Sequence, residues 1–240
     1  MSRVIVIVIA IVALSACASA PINFGKPSSS STIGMIYLID EHPKHSHVGT
    51  TIFQNFDTTS ATSTDFQSQF AERCTNLLSN AGYDVREIEP TDLLSENRNG
   101  LFSYASSSVY FKPAIKSELN RLASTSNLDF VIVVYPLSGP AWVNSAANID
   151  GYGLYTECRF GKCSAQALSY VDARIYDVQN QSALKGSGFR YFQNPTMPDT
   201  YVFDEPKKIE PEIIDEAASI ALDTFIALFE RMLRASQFLE

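Results

Sequence analysis

Three histidines and a glutamate lie within seven residues, in the stretch EHPKHSH. They are Glu41, His42, His45 and His47, and the chain has 3 histidines in all. Imidazole nitrogens and a carboxylate are ligands that Zn²⁺ and Cu²⁺ accept, so a turn could direct two or more of them at one ion. The alternative is an ordinary polar turn, because Pro43 interrupts the spacing and no helix fixes it.

Cys17 is the second candidate for chemistry, because it closes the tetrapeptide LSAC after an apolar run. One positive charge at Arg3 precedes the run, which is short for a bilayer-spanning helix and typical of an export signal. LSAC resembles the lipobox of bacterial lipoproteins. The resemblance implies that residues 1–16 are a signal peptide and that Cys17 carries the acyl chains. An ordinary secretory signal ending at Ala16, or an uncleaved anchor, remains the alternative.

The lipobox resemblance also implies a location. Two or three acyl chains anchor a protein lastingly, since each buried methylene contributes about 0.8 kcal/mol. Ala18 replaces the aspartate that retains lipoproteins at the inner membrane, so the outer membrane, with the protein facing the periplasm, is expected. Residues 17–32 are rich in serine and proline and predict a flexible tether. Residues 33–240 have a normal size for one domain.

Two further cysteines, Cys158 and Cys163, flank the short loop RFGK. A hairpin can bring such a pair within disulfide distance, and an oxidising periplasm would favour the bond. The pair could instead be half of a metal site, but no second cysteine pair completes one. We therefore expect a disulfide. Cys74, on the apolar side of a predicted helix, is expected to be a buried free thiol.

The net charge and the absence of catalytic motifs limit the functions that the sequence predicts. The net charge of −8, without any basic run, makes nucleic acid an improbable partner and leaves membrane attachment to the lipid. No G-x-S-x-G elbow or phosphate-binding loop is present. The sequence therefore predicts no enzyme activity and no cofactor, with Zn²⁺ or Cu²⁺ at the histidines as the alternative and an envelope hydrolase as a remote third.

Aromatic residues cluster in or beside predicted loops and edge strands. Exposed rings of this kind bury a large area at low entropic cost, so they suit contacts with proteins or glycans. The alternative is that they fill the core beneath the loops. The candidates for a binding surface are Tyr104, Tyr110, Trp142, Tyr152 and Tyr155.

The hydrophobic pattern predicts an α/β fold: a single domain with a mixed β-sheet, antiparallel hairpins and about three packed helices. A capping box at Thr64 and Gln67 predicts the start of the first helix, which Gly82 ends. The predicted helices are 64–81, 113–124 and 212–234. The predicted strands are 33–40 and 47–56, joined by a turn at Pro43, then 83–89, a central strand 129–136, the pair 151–157 and 164–178, and a hairpin 171–192 that turns at 179–181.

Four segments, FQNF, AGYDVREIEPTDLL, LDFVIVVYP and ARIYDVQNQSALKGSG, resemble a group of envelope lipoproteins. The group includes the curli-secretion lipoprotein, the activator lipoproteins of penicillin-binding proteins and the amino-terminal domain of the translocation protein TolB. The resemblance implies a domain without catalytic residues that binds partner proteins or assembles into rings. This chain lacks the long transmembrane hairpins of the curli pore, so secretion is not expected.

These expectations combine into one hypothesis and one alternative. The hypothesis is a non-catalytic, lipid-anchored envelope lipoprotein that binds another envelope protein or a second copy of itself. The alternative is a metal-binding periplasmic lipoprotein that uses the histidine segment.

Overall fold

The computed structural model describes residues 27–60, 62, 64–105, 108–140, 148–160, 162–184, 188, 195, 197 and 206–240. The strands are β1 Thr32–Tyr37, β2 Lys44–Val48, β3 Phe56–Thr59, β4 Asp84–Glu87, β5 Phe102–Ala105, β6 Ser108–Phe111, β7 Phe130–Pro136, β8 Ser138–Pro140, β9 Asn148–Arg159, β10 Lys162–Asp177 and β11 Ser182–Ala183. The helices are α1 Phe66–Asn80, α2 Asp92–Glu96, α3 Pro113–Ser126 and α4 Pro211–Ala235, with 3₁₀ turns at Ile52–Gln54 and Pro206–Lys208.

One mixed sheet organises the described residues, which confirms the predicted α/β class. Its strand order is β3-β2-β9-β10-β7-β1-β4, with β8 beside β9 and β11 beside β10, while β5 and β6 pair separately. β7 runs parallel to β1 and antiparallel to β10. Its residues Val131 to Val134 are fully buried. The prediction of a central strand covered on both faces is therefore confirmed.

Helices cover both faces of the sheet. The apolar stripes of α1 and α4 pack on one face, against alternate residues of β1, β7 and β10. The apolar side of α3, with Ile115 and Leu119, packs on the other face. Cys74 of α1 is fully buried as a free thiol, as expected, and burial raises the pKa of that thiol. Within the described ranges, no helix combines the length and the apolar character that crossing a bilayer requires.

The three long helices were predicted, but the details at their ends were not. α1 is capped by Asp65, whose carboxylate accepts a hydrogen bond from the Ser68 N–H, instead of by Thr64. The helix α2 and the β5–β6 hairpin were not predicted. α2 has only 5 residues, too few to show a helical period, and β5–β6 lies in a serine-rich stretch with little alternation.

The first two predicted strands do not form the expected hairpin, so that prediction is wrong. β1 lies between β7 and β4, whereas β2 lies between β9 and β3 at the other side of the sheet. β1 is apolar on both faces, so it is stable only where helices cover both. The second strand is also shorter than predicted, because it ends at Val48 and the 3₁₀ turn follows. The predicted tether reaches into the domain: Thr32 begins β1, and its N–H donates to the Asp129 carboxylate at 2.8 Å.

Candidate functional site

Two of the three histidines belong to a buried polar cluster. His45 and His47 alternate along β2, so both side chains point to the same face of the sheet. Thr156 of β9 is the direct neighbour of His47. Its hydroxyl oxygen lies 2.8 Å from Nε2 of His45 and 2.8 Å from Nδ1 of His47. We call these three residues the histidine–threonine cluster.

The cluster is closed to solvent. Thr156 has no exposed surface, and His45 and His47 are 3% and 5% exposed. The ring of Phe56 on β3 covers both imidazoles, with ring centroids 5.0 Å apart in each case, and the ammonium of Lys207 lies 6.0 Å from the Phe56 centroid. A substrate therefore has no path to the threonine hydroxyl.

Burial keeps both imidazoles neutral. It lowers the pKa of His45 to about 4, and the neighbouring His47 adds to this shift. Burial also lowers the pKa of His47, with a further contribution from the charge of Lys207. A hydroxyl can donate one hydrogen bond and accept another, so Thr156 can satisfy two neutral rings at once. The arrangement is that of a satisfied polar contact that joins β2 to β9.

The expectation of a solvated histidine turn is wrong for His45 and His47, because β2 already begins at Lys44. His42 lies apart from them, and its Nε2 is 3.9 Å from the Glu41 carboxylate. No three His, Cys, Asp or Glu side chains come together as metal ligands in the part of the chain that is described. A metal ion bound by Nε2 of His45 and Nδ1 of His47 would have to replace both hydrogen bonds to the threonine.

Gly153 of β9 allows β2 to lie at this position. Its φ angle is +133°, and a Cβ atom at Gly153 would lie 2.1 Å from the carbonyl oxygen of Lys44. Lys44 in turn forms an ion pair of 2.7 Å with Asp150 and one of 3.4 Å with Asp40. The start of β2 is thus fixed against β9 by a close backbone approach and by charge.

The structure describes the exposure of three of the five aromatic residues predicted to form a binding surface. Tyr152 and Tyr155 are buried, at 2% and 1% exposure, so their assignment to a binding surface is wrong. Their hydroxyls are satisfied inside the protein: Tyr152 donates to the Asp40 carbonyl at 2.8 Å and Tyr155 to the Glu157 carboxylate at 3.0 Å. Both residues lie on a strand with covered faces. Tyr110, in contrast, is 53% exposed.

Three other predicted residues cannot be placed. Cys17 and Trp142 lie outside the described residues, as does the side chain of Tyr104, whose backbone belongs to β5. Cys158 and Cys163 are direct neighbours across the β9–β10 hairpin and are joined by the disulfide that their spacing predicted.

An exposed apolar surface adjoins this disulfide. Phe53 is 92% exposed, Phe160 is 90% exposed and Ile52 is 61% exposed. The loop after β2 and the β9–β10 turn are brought together because the Thr50 hydroxyl donates to the Cys158 carbonyl at 3.0 Å. We call Ile52, Phe53 and Phe160 the distal tip. Sequence reasoning missed it, although the flanking turn residues of RFGK were a usable signal for an exposed Phe160.

The distal tip lies far along the sheet from the point where the chain enters the domain. Thr32, at the start of β1, is tied to Asp129, and the next residue, Phe130, pairs with Asp177 at the end of β10. Lys162 begins the same strand beside the disulfide. At a rise of about 3.4 Å per residue, the two ends of β10 are about 50 Å apart along the strand.

Comparisons with known proteins give no family for this chain. No family model matches it, and no curated protein matches it. Among solved structures, the PelC dodecamer from Paraburkholderia phytofirmans is similar over 90% of this chain and 94% of that chain, with 13% identity and a TM-score of 0.33. A variant of that dodecamer is similar over 90% of this chain and 92% of its own, with 12% identity and a TM-score of 0.31. Similarity at this level carries no argument about family, function or assembly.

Proposed function

We propose that the protein is a lipid-anchored lipoprotein of the bacterial envelope, facing the periplasm from the outer membrane. It acts without catalysis, by binding another envelope protein or a second copy of itself through the distal tip. The observation that carries the binding role is the exposure of Phe53 and Phe160 on two loops that the Thr50–Cys158 hydrogen bond joins beside the disulfide. The lipid anchor is supported by the sequence LSAC before the serine-rich segment.

The distal tip has the properties of a contact surface. Large apolar side chains that are almost fully exposed mark interaction sites when they are adjacent. Burying one phenylalanine side chain contributes about 1.5–3 kcal/mol, so two of them and an isoleucine could supply the centre of a specific interface. The disulfide and the Thr50–Cys158 hydrogen bond hold the two loops, so little ordering entropy is lost on binding.

The position of the tip suits an anchored protein. The tether begins at Cys17 and leads to β1, at the opposite end of β10 from the disulfide. A protein held by its amino terminus can therefore present the tip away from its own attachment point. The histidine–threonine cluster plays no part in this proposal, because its hydroxyl and imidazoles are buried.

The test is a crosslinking experiment in native envelopes. A photoreactive amino acid replaces Phe53 in the full chain, and crosslinked products are identified by mass spectrometry. We expect one defined partner, or a dimer of the chain, after irradiation. The matched control places the same probe at Leu93, another partly exposed apolar residue, on α2 at 37% exposure. Equal, unspecific crosslinking from both positions would contradict a binding role for the tip.

The lipid anchor is tested separately. Cells grown with an alkyne-labelled fatty acid should label the wild-type protein, and the Cys17→Ala variant should remain unlabelled and leave the membrane fraction. If the wild-type protein carried no label, the proposal of a lipid anchor would be wrong. The binding role of the distal tip would still be decided by the crosslinking experiment.

A further inference from the structure

A cavity of about 350 Å³ lies on the opposite sheet face from α4, where β6, the first turn of α3 and the turn between β10 and β11 meet. It is separate from both the histidine–threonine cluster and the distal tip. Its size is at the lower end of the range for small-molecule sites, which suits one substituted six-membered ring. Its wall and rim residues include Tyr110, Phe111, Tyr176, Lys116, Gln181 and Ser182.

The walls are aromatic and preformed. Phe111 and Tyr176 are 6% and 0% exposed and meet edge to face, with ring centroids 5.6 Å apart. The Tyr176 hydroxyl donates to the side-chain oxygen of Asn120 at 2.7 Å, which fixes the ring. Tyr110, at 53% exposure, stands on the open side. A ligand therefore meets rigid rings and one accessible tyrosine.

The rim supplies polar groups that have no partner among the described residues. Lys116 forms no ion pair with any described residue, and the side chains of Gln181 and Ser182 make no hydrogen bond within the same residues. The turn that carries Gln181 is itself ordered, because the Asp177 carboxylate accepts hydrogen bonds of 2.8 Å from both the backbone and the side chain of Asn180. The polar side chains of Lys116, Gln181 and Ser182 are thus available to a ligand.

We propose that this cavity binds a pyranose sugar ring that carries a carboxylate, as one unit of an acidic glycan. The C–H face of a pyranose is weakly positive and packs on the negative face of an aromatic ring such as Tyr110. Gln181 and Ser182 can bond to ring hydroxyls, each as donor or acceptor. The ammonium of Lys116 forms a charge-assisted hydrogen bond to the carboxylate. An apolar peptide side chain would use the rings but leave these three polar groups unsatisfied.

The experiment uses the folded chain and two probes, methyl glucuronide and the neutral methyl glucoside, titrated with detection by protein NMR. Glucuronide is expected to bind in about the millimolar range, as a small ligand with few contacts does, and to shift signals of residues around α3 and β11. The neutral glucoside should bind about tenfold more weakly, the loss expected when one charge-assisted hydrogen bond is removed.

Substitutions at two cavity residues test which contacts each sugar makes. Tyr110→Ala should abolish measurable binding of both sugars, and Lys116→Gln should remove the preference for the glucuronide while keeping weak binding of the glucoside. Lys162→Gln, an exposed lysine at the start of β10, is the matched control and should bind like the wild type. Spectra of each variant report whether it remains folded.

Three results would overturn the proposal: no binding of either sugar to the wild type, binding that Tyr110→Ala and Lys116→Gln leave unchanged, or tighter binding of N-acetylphenylalanine than of glucuronide with the same dependence on the variants. The last result would assign the cavity to a peptide terminus. None of these results bears on the crosslinking test of the distal tip, because the two sites share no residue.

Discussion

The histidine–threonine cluster lies on β2 and β9, and the distal tip lies in the loops that follow these two strands, yet the two regions differ in what they bury. In the cluster, β2 and β9 contribute polar side chains that are buried and hydrogen-bonded to one another. In the loops just beyond the strands, Phe53 and Phe160 are almost fully exposed. Buried polar groups that are satisfied contribute to structure, whereas exposed large apolar groups require another explanation. This difference is why the binding role that we propose is assigned to the distal tip and not to the histidine–threonine cluster.

The largest expected effect concerns the close approach of β2 and β9. In Gly153→Ala, the new methyl group would lie 2.1 Å from the Lys44 carbonyl oxygen at a φ of +133°, which only glycine adopts readily. We expect a loss of about 3 kcal/mol or more in the free energy of unfolding, measured by urea denaturation.

Gly100→Ala is the matched control for this variant. Its Cβ would meet the end of the flexible Lys112 side chain at 3.2 Å and the Asn97 carbonyl oxygen at an ordinary contact distance of 3.8 Å. A Gly153→Ala protein that is as stable as Gly100→Ala would show that β2 does not lie against β9 in this register.

Acid should destabilise the cluster next most strongly. Burial holds the pKa of His45 at about 4 in the folded protein, below its ordinary value of 6.5. Above pH 6.5 the imidazole is neutral in both states; below it, the unfolded chain takes up a proton that the folded protein excludes. The contribution of the neutral His45 to the free energy of unfolding is therefore fully present at neutral pH. It falls by about 3 kcal/mol between pH 6.5 and pH 4.

The measurement is the free energy of unfolding as a function of pH for the wild type and for His45→Asn. The variant should show a flatter decline over this range, since His47, whose pKa burial also lowers, and the carboxylates are common to both proteins and account for the rest. Thr59→Val, a substitution on β3 that removes no titratable group, should keep the wild-type slope. Parallel curves for wild type and His45→Asn would contradict a buried, neutral His45.

Removing the shared hydroxyl should have a smaller effect. Thr156→Val keeps the shape of the side chain but leaves Nε2 of His45 and Nδ1 of His47 without their partner. A buried polar group without a hydrogen bond costs about 1–3 kcal/mol, which urea denaturation can resolve. The control is Thr59→Val, an exposed residue on the other face of β3, with an expected change within about 0.5 kcal/mol. Equal effects of the two substitutions would mean that the hydroxyl contributes nothing.

The sequence predicted the elements with a strong local period. α1, α3 and α4 repeat apolar residues at helical spacing, and β7 is apolar throughout, so each could be recognised without knowledge of its neighbours. The disulfide followed from the spacing of two cysteines in one hairpin. In each case the information lies within about 25 residues of chain.

The candidate site was less predictable, because it depends on contacts that are distant in sequence. His45 is buried because β2 pairs with β9, more than 100 residues later, and the glycine that permits this pairing has no signature of its own. Tyr152 and Tyr155 resembled loop aromatics for the same reason, since the covering of β9 is a tertiary property. The exposure of Phe53 could not be predicted from its type, because phenylalanine is ordinarily buried.

The smallest change in the free energy of unfolding is expected for substitutions at the distal tip, in contrast to those in the histidine–threonine cluster. Phe53 and Phe160 already contact water, so Phe53→Ser combined with Phe160→Ser removes almost no buried area and should change the free energy of unfolding by about 0.5 kcal/mol or less. Phe225→Ser, in the core, is the contrasting variant and should cost about 3–5 kcal/mol. A large loss in the double variant would mean that the two rings pack within the protein itself, so no partner would be needed to explain them. A neutral result would be consistent with the proposed binding role, because Phe53 and Phe160 would then contribute nothing to the stability of the fold.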